Sequence, residues 1–238
     1  MLRLIPNLLR SKEERTFRST YQKFRNFTMI PEPHYLANLE LTAAYRHVAG
    51  DIVECGTWKG GMIAGMAQLL GPDRAYHLFD SFAGLPPATA IDGKAALNWQ
   101  QDTRSSHYFD NCTAEESSAI TAMRLAGATR FRTVKGWFAD TLRSQDLPGD
   151  IAILRLDSDW YASTLQVLEA LFERVVDRGL IIVDDYYAWD GCAKAIHDYL
   201  ASRQATERIR SHKGVCYLER RRREAEAITE NLVSGLNG

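Results

Sequence analysis

Asp150–Asp157 reads DIAILRLD and Gly179–Asp185 reads GLIIVDD, and these two stretches decide the fold. Each is an almost unbroken apolar run, rich in Ile and Val, that ends in aspartate. A strand with one wet face alternates apolar and polar residues. A run that is apolar at nearly every position belongs to a strand covered on both faces, as in a parallel sheet. Segment 161–174 between them carries a helical pattern, the crossover that two parallel strands require. So short a right-handed crossover makes the strands neighbours, about 4.8 Å apart.

The same alternation extends outward. DIVEC (51–55), AYHLF (75–79) and RFRTV (130–134) read as further strands, with helices near 61–70, 114–126 and 190–203. Pro33, a favoured first helical residue, opens an earlier helix that ends at Gly50. Thr113 and Glu116 form a T-x-x-E capping box for the 114–126 helix. GVCYLER at 214–220 reads as a last strand near the sheet's edge. No internal repeat is visible. Repeated β-α-β units specify an α/β fold, Rossmann-like, with a doubly wound and mostly parallel sheet.

Around this domain, 35–219, lie an N-terminal segment (1–34) and a charged tail (220–238) read as solvated. The first carries Phe17, Tyr21, Phe24 and Phe27 at helical spacing, which suits covering the domain, closing the active site or packing on a second subunit. Segment 86–110 is long and polar and reads as a lid-like loop, with His107 a candidate acceptor contact.

The chain has 238 residues, 45% of them hydrophobic, and its 29 basic and 30 acidic side chains leave a net charge of −1. That balance argues against electrostatic attraction to nucleic acid or an anionic membrane. No apolar run approaches the ~20 residues that span a bilayer. The opening MLRLIPNLLRSKEER is broken by Pro6 and lacks a small-residue cleavage site, so it does not read as a secretion signal. Cys55, Cys112, Cys192 and Cys216 stand apart with no C-x-x-C pair, as reduced thiols in a cytoplasmic protein would. Zinc-protease, serine-hydrolase and phosphate-loop motifs are all missing.

In an open α/β sheet the ligand lies outside the carboxyl ends of the strands. Standing there are Glu54, Asp80, Asp157 and the pair Asp184–Asp185. In the turn ECGTWKGG (54–61), Gly56 permits a sharp bend, and an acid before it suits an ammonium group better than a pyrophosphate. Asp80, ending the next strand, is placed to accept ribose hydroxyls, so the turn reads as a nucleoside-type cofactor site. Asp157, Asp184 and Asp185 offer hard oxygens without His or Cys. They fit Mg²⁺, or Mn²⁺ or Ca²⁺, better than Zn²⁺. Alternatively, Asp157 and Asp184 cap the following helices or pair with Arg155 or Arg178. Asp159 is expected to cap the helix beginning near Tyr161. Tyr186, Tyr187 and Trp189 either line an acceptor site or pack between loop and helix.

The runs DIVECGTWKGG, FDSFAGLP (79–86), KGWFADTL (135–142), LRLDSDWYASTLQVLEAL (154–171) and GLIIVDDYYAWDGCAKAIHDY (179–199) together resemble the macrocin O-methyltransferase family. The resemblance covers about residues 35–219. It implies a class I fold that uses S-adenosylmethionine and a bound Mg²⁺ to methylate sugar hydroxyls of natural products, antibiotics among them. It places adenosylmethionine over Glu54, Gly56 and Thr57, with its ribose on Asp80 beside Ser81 and Phe82. Its adenine falls near Gly136, Trp137 and Phe138. The resemblance gives Asp157, Asp184 and Asp185 to the metal and makes Asp157 the general base. The implied partner is a glycoside or saccharide acceptor, on a homo-oligomeric and most simply dimeric enzyme. Trp160 departs from the commoner D-G-D-L-Y pattern and bears on the acceptor pocket.

Three rival readings stand beside this one. Phenol or catechol methylation would use the same metal. A nicotinamide oxidoreductase lacks its G-x-G-x-x-G turn. A non-catalytic nucleoside binder has no need of three converging acids.

Overall fold

The computed structural model describes residues 11–222. Seven strands form one sheet in the order β3-β2-β1-β4-β5-β7-β6. They are β1 (Asp51–Cys55), β2 (Tyr76–Asp80), β3 (Phe131–Lys135), β4 (Ile151–Leu156), β5 (Val175–Val183), β6 (Arg210–His212) and β7 (Val215–Glu219). The first five are parallel, and β4 and β5 pair directly, with Leu156 opposite Val183. β7 returns antiparallel to β5, and β6, which the sequence did not signal, forms the edge beyond it. The strand order reverses between β1 and β4, so their carboxyl ends form the crevice of a doubly wound sheet.

The helices are α1 (Lys12–Phe24), α2 (Glu32–Ala44), α3 (Gly61–Leu70), α4 (Gly93–Gln101), α5 (Glu116–Leu125), α6 (Tyr161–Leu171) and α7 (Asp190–Ser202). Period-two alternation divides the core into two layers. Ile52, Leu78 and Ile182 face one layer with residues of α1, α2, α3 and α5. Val53, Leu154 and Ile181 face the other with residues of α6 and α7. These side chains are fully buried, and each burial of an Ile, Leu or Val contributes about 1.5–3 kcal/mol.

Several expectations need correction. The Thr113–Glu116 capping box does not form: α5 has Glu115 at its N-cap with no side-chain bond, and Glu116 instead accepts the hydroxyl of Thr133. The Pro33 helix ends at Ala44, short of Gly50. Segment 86–110 is not a plain loop. It holds α4 and a 3₁₀ turn at Ala90–Asp92, and the real capping box lies there, between Thr89 and Asp92.

Arg220 is no solvated tail residue. Its guanidinium is buried between Glu207 at 2.7 Å and Glu173 at 2.5 Å. The rest of the expected tail from 223 on, and the first ten residues, lie outside the described residues.

Candidate active site

A cavity of about 490 Å³ opens at the carboxyl ends of β1, β2, β4 and β5. Every residue expected to hold the cofactor or the metal lines it except Phe82, while Trp160, expected to bear on the acceptor pocket, is buried behind the wall. Phe82 is buried in the core, and only its backbone serves the site, its N–H donating to Asp80 Oδ1 at 2.6 Å. Asp80 Oδ2 accepts the N–H of Trp58 at 2.7 Å. The carboxylate thus fastens the β1–α3 turn to the β2 turn, with the Thr57 N–H also turned toward it. Ser81 shapes its own turn by donating to the Gly84 carbonyl at 2.8 Å.

Gly56 is required by contact as well as by φ. Its φ is +88°, and a Cβ there would stand 1.6 Å from the Asp157 carbonyl oxygen. The turn after β1 therefore presses on the turn after β4, which draws the cofactor-type turn against the acidic cluster.

Asp157, Asp184 and Asp185 converge, with one oxygen of each within 4.8 Å of the others. Arg155 lies among them. It is fully buried on β4, where its Nη1 reaches Glu54 Oε1 at 2.9 Å and Asp157 Oδ2 at 2.8 Å. Its Nη2 is 2.6 Å from Asp184 Oδ1, an ion pair without hydrogen-bond alignment. The pairing alternative for Asp157 and Asp184 is thus realised, yet the acids still gather. One guanidinium faces Glu54, Asp157 and Asp184, and Asp185 forms no ion pair with a cation among the described residues.

Burial and this surplus of negative charge show in the acidities. Burial pushes Glu54 up to about 8 against the pull of Arg155. Burial likewise raises Asp157 to about 6, with Arg155 opposing and Asp184 adding to it. Asp185 is raised well above the carboxylate range, by burial first and then by Asp159 and Asp157. Glu54 Oε2 is buried with no partner. Hard oxygens in surplus over their cations are the donor set of a small divalent ion, so the residues fit Mg²⁺.

Asp159 does not cap α6. The Tyr161 N–H goes to Asp92 Oδ1 at 2.7 Å. Asp159, at φ +54°, instead lines the cavity, accepts the Trp189 indole N–H at 3.1 Å and donates its own N–H to Asp185 at 3.0 Å. Burial, then the charge of Asp157, raises it to about 8. Its signal was the D-x-D spacing after a buried strand. The N-terminal segment also contributes more than cover: Phe27, Thr28, Met29 and Ile30 form part of the wall, along with His34 from α2. His107 and Trp189 line the cavity. Tyr186 bonds to His197 instead, and Tyr187 is exposed.

Sheet order, crevice and acid-tipped strands define a class I methyltransferase fold. The NovP O-methyltransferase structure superposes on it with a TM-score of 0.68 at 26% identity, over 82% of this chain and 83% of that one. The macrocin O-methyltransferase (TylF) family model matches residues 13–221, and the chain belongs to that family. Among curated relatives, a Streptomyces olivaceus enzyme is 34% identical over 64% of this chain and 58% of its own length. Its name is 8-demethyl-8-(2,3-dimethoxy-alpha-L-rhamnosyl)-tetracenomycin-C 4'-O-methyltransferase. The demethyldecarbamoylnovobiocin O-methyltransferase of Streptomyces niveus is 32% identical over 65% of this chain and 60% of its own. The chain thus spans about three fifths of the length of these relatives. Among the described residues no helix is long and apolar enough to cross a membrane.

Proposed function

We propose that this protein transfers a methyl group from S-adenosylmethionine to a hydroxyl on the sugar of a glycosylated small molecule, in the cytoplasm, with Mg²⁺ held by Asp157, Asp184 and Asp185. The observation that carries the reading is the convergence of those three carboxylates within 4.8 Å, beside the Gly56 turn and Asp80. The rhamnosyl group in the Streptomyces olivaceus relative's name supports a sugar acceptor.

Asp80 accepts the ribose hydroxyls with the acceptor capacity that the N–H groups of Trp58, Phe82 and Thr57 leave. Glu54 offers its unpartnered Oε2 to the donor's ammonium group. Gly136, Trp137 and Phe138 border the adenine. A bound divalent ion supplies Lewis acidity that lowers the acceptor hydroxyl's pKa.

Asp157 gives Oδ2 to Arg155 and suits a ligand better than a base. We assign the proton to Asp159, which Trp189 steadies at the cavity wall. Because the sulfonium already carries an activated methyl, the protein's remaining work is alignment and deprotonation.

The test is incubation with adenosylmethionine and Mg²⁺ across a panel of glycosides and phenols, read by mass spectrometry for products one methylene heavier. Methylated glycosides are expected. Turnover of phenols alone overturns the sugar reading.

A further inference from the structure

Segment 86–112 has a polar sequence yet is bolted to the domain at a buried carboxylate, that of Asp92. Asp92 Oδ1 accepts the N–H of Tyr161, the first residue of α6, at 2.7 Å. Its Oδ2 accepts the Thr89 N–H at 2.7 Å and the Thr89 hydroxyl at 2.9 Å. A carboxylate at a helix N-terminus meets both unpaired N–H groups and the positive end of the helix dipole. Asp92 is 3% exposed, so water does not dilute these bonds.

The seat is shaped from the other side by α7. A Cβ on Gly191 would stand 2.4 Å from Asp92 Oδ1 and 2.8 Å from its Cα. Gly93 reciprocates, since a Cβ there would lie 2.4 Å from Asp190 Oδ2. Asp92 is therefore wedged between the N-termini of α6 and α7, the helices that follow Asp157–Asp159 and Asp184–Asp185. A second tie lies nearby, where the Trp160 indole N–H donates to the Pro86 carbonyl at 2.9 Å. Beyond the bolt, Trp99 packs edge-on against Trp160 at 6.1 Å and Trp189 at 6.0 Å. Trp99, His107 and Phe109 all line the cavity.

We propose that Asp92 is a positioning residue, the clamp that fixes segment 86–112 as the acceptor-side wall of the active site. The assignment of that wall to the acceptor rests on the methyltransferase reading above. Asp92 itself makes no contact with the cofactor-type turn, which the segment meets at its other end, where Phe109 lies edge-on to Trp58 at 6.3 Å. Loss of the clamp therefore loosens the wall and leaves the adenosine side of the site intact.

The experiment compares full-length wild type, Asp92→Asn, Asp92→Ala and Gly191→Ala. Gly191→Ala crowds the seat from α7 without altering the segment. Trypsin cuts after Lys94 and Arg104, both exposed within the segment. Digestion well below each variant's melting temperature is expected to cut there about tenfold faster in Asp92→Ala and Gly191→Ala. Asp92→Asn, which keeps one oxygen for Tyr161, falls between. Tryptophan emission shifts red as Trp99 leaves its cluster, and a Trp99→Phe background removes that shift. Affinity for S-adenosylhomocysteine, by calorimetry, stays within about twofold.

Unchanged cutting at Lys94 and Arg104 in both clamp variants overturns the proposal. So does faster cutting throughout the chain with a matching loss of adenosylhomocysteine affinity, which marks a merely structural residue. Failure of wild type to bind adenosylhomocysteine overturns the methyltransferase reading instead, and the digestion still decides the clamp.

Discussion

The Arg155 guanidinium stands 2.8 Å from the carboxylate of Asp157, two residues further along the chain at the end of β4. The same guanidinium reaches Glu54 on β1 and Asp184 after β5, and its Nε donates to Asn38 on α2 at 3.2 Å. One buried cation thus ties three adjacent parallel strands at their carboxyl ends, under the cavity floor.

Arg155→Met is the direct test of that tie. It leaves Glu54, Asp157 and Asp184 without their cation, and breaking a buried pair on one side costs about 3–5 kcal/mol. Denaturant unfolding at neutral pH should show that loss. A change below about 1 kcal/mol, the worth of an exposed pair, would show that the guanidinium is hydrated and the floor is not dry.

The acidities give a pH dependence of definite sign. Glu54 is raised from its ordinary 4.5 to about 8, and Asp159 from 3.8 to about 8, in both cases chiefly by burial. A folded pKa above the unfolded one means that the folded chain binds the proton more tightly. The stability this confers is complete below about pH 4 and is lost as pH rises toward about 8. The melting temperature of metal-free protein should therefore fall between pH 5 and 8, and Glu54→Gln should flatten part of the fall. A melting temperature that climbs over that interval contradicts the assignment.

Much of this was legible in the residues themselves. DIAILRLD and GLIIVDD gave the central strands because burial on both faces leaves no room for alternation. Acids closing successive strands gave the site because the sheet's geometry brings strand ends together. Arg155 was less legible as a keystone, although a charge inside an apolar strand signals a buried partner. Asp159 was misread because D-x-x at a helix start looks like a cap. The acceptor came from Asp92, sixty-nine positions before the Tyr161 N–H that it takes. Such a long-range substitution of one acceptor for another leaves no local trace. Helix α4 was hidden for a related reason: its segment is polar, and it is held by one capping box and by tryptophans that meet only in the fold.

Removal of metal should abolish methyl transfer. EDTA followed by Mg²⁺ should switch turnover off and on again, because the acids at 157, 184 and 185 have too few cations of their own. Asp185→Asn, which lacks an ion-pair partner to mask the change, should weaken Mg²⁺ binding by more than about tenfold, read by calorimetry. Full turnover in EDTA would remove the ion from the mechanism.

Asp157 and Asp159 are separated by one residue and should fail differently. Asp157 spends Oδ2 on Arg155 and still brings a carboxylate oxygen within 4.8 Å of those of Asp184 and Asp185, so Asp157→Asn should lose Mg²⁺ affinity together with turnover. Asp159 stands outside that trio, with Oδ1 bonded to the Trp189 indole. Asp159→Asn keeps an acceptor for that N–H and should leave Mg²⁺ and adenosylhomocysteine binding nearly unchanged. Its kcat should nevertheless fall by about 10²–10⁴-fold, the usual worth of a positioned general base. Trp189→Phe removes the indole donor, along with part of the ring that packs on Trp99 and Trp160, and should show a smaller kcat loss of the same kind, with no change in metal affinity. Should Asp157→Asn lose kcat while keeping its Mg²⁺, and Asp159→Asn turn over at the wild-type rate, the proton belongs to Asp157 after all, and Asp159 merely braces the turn.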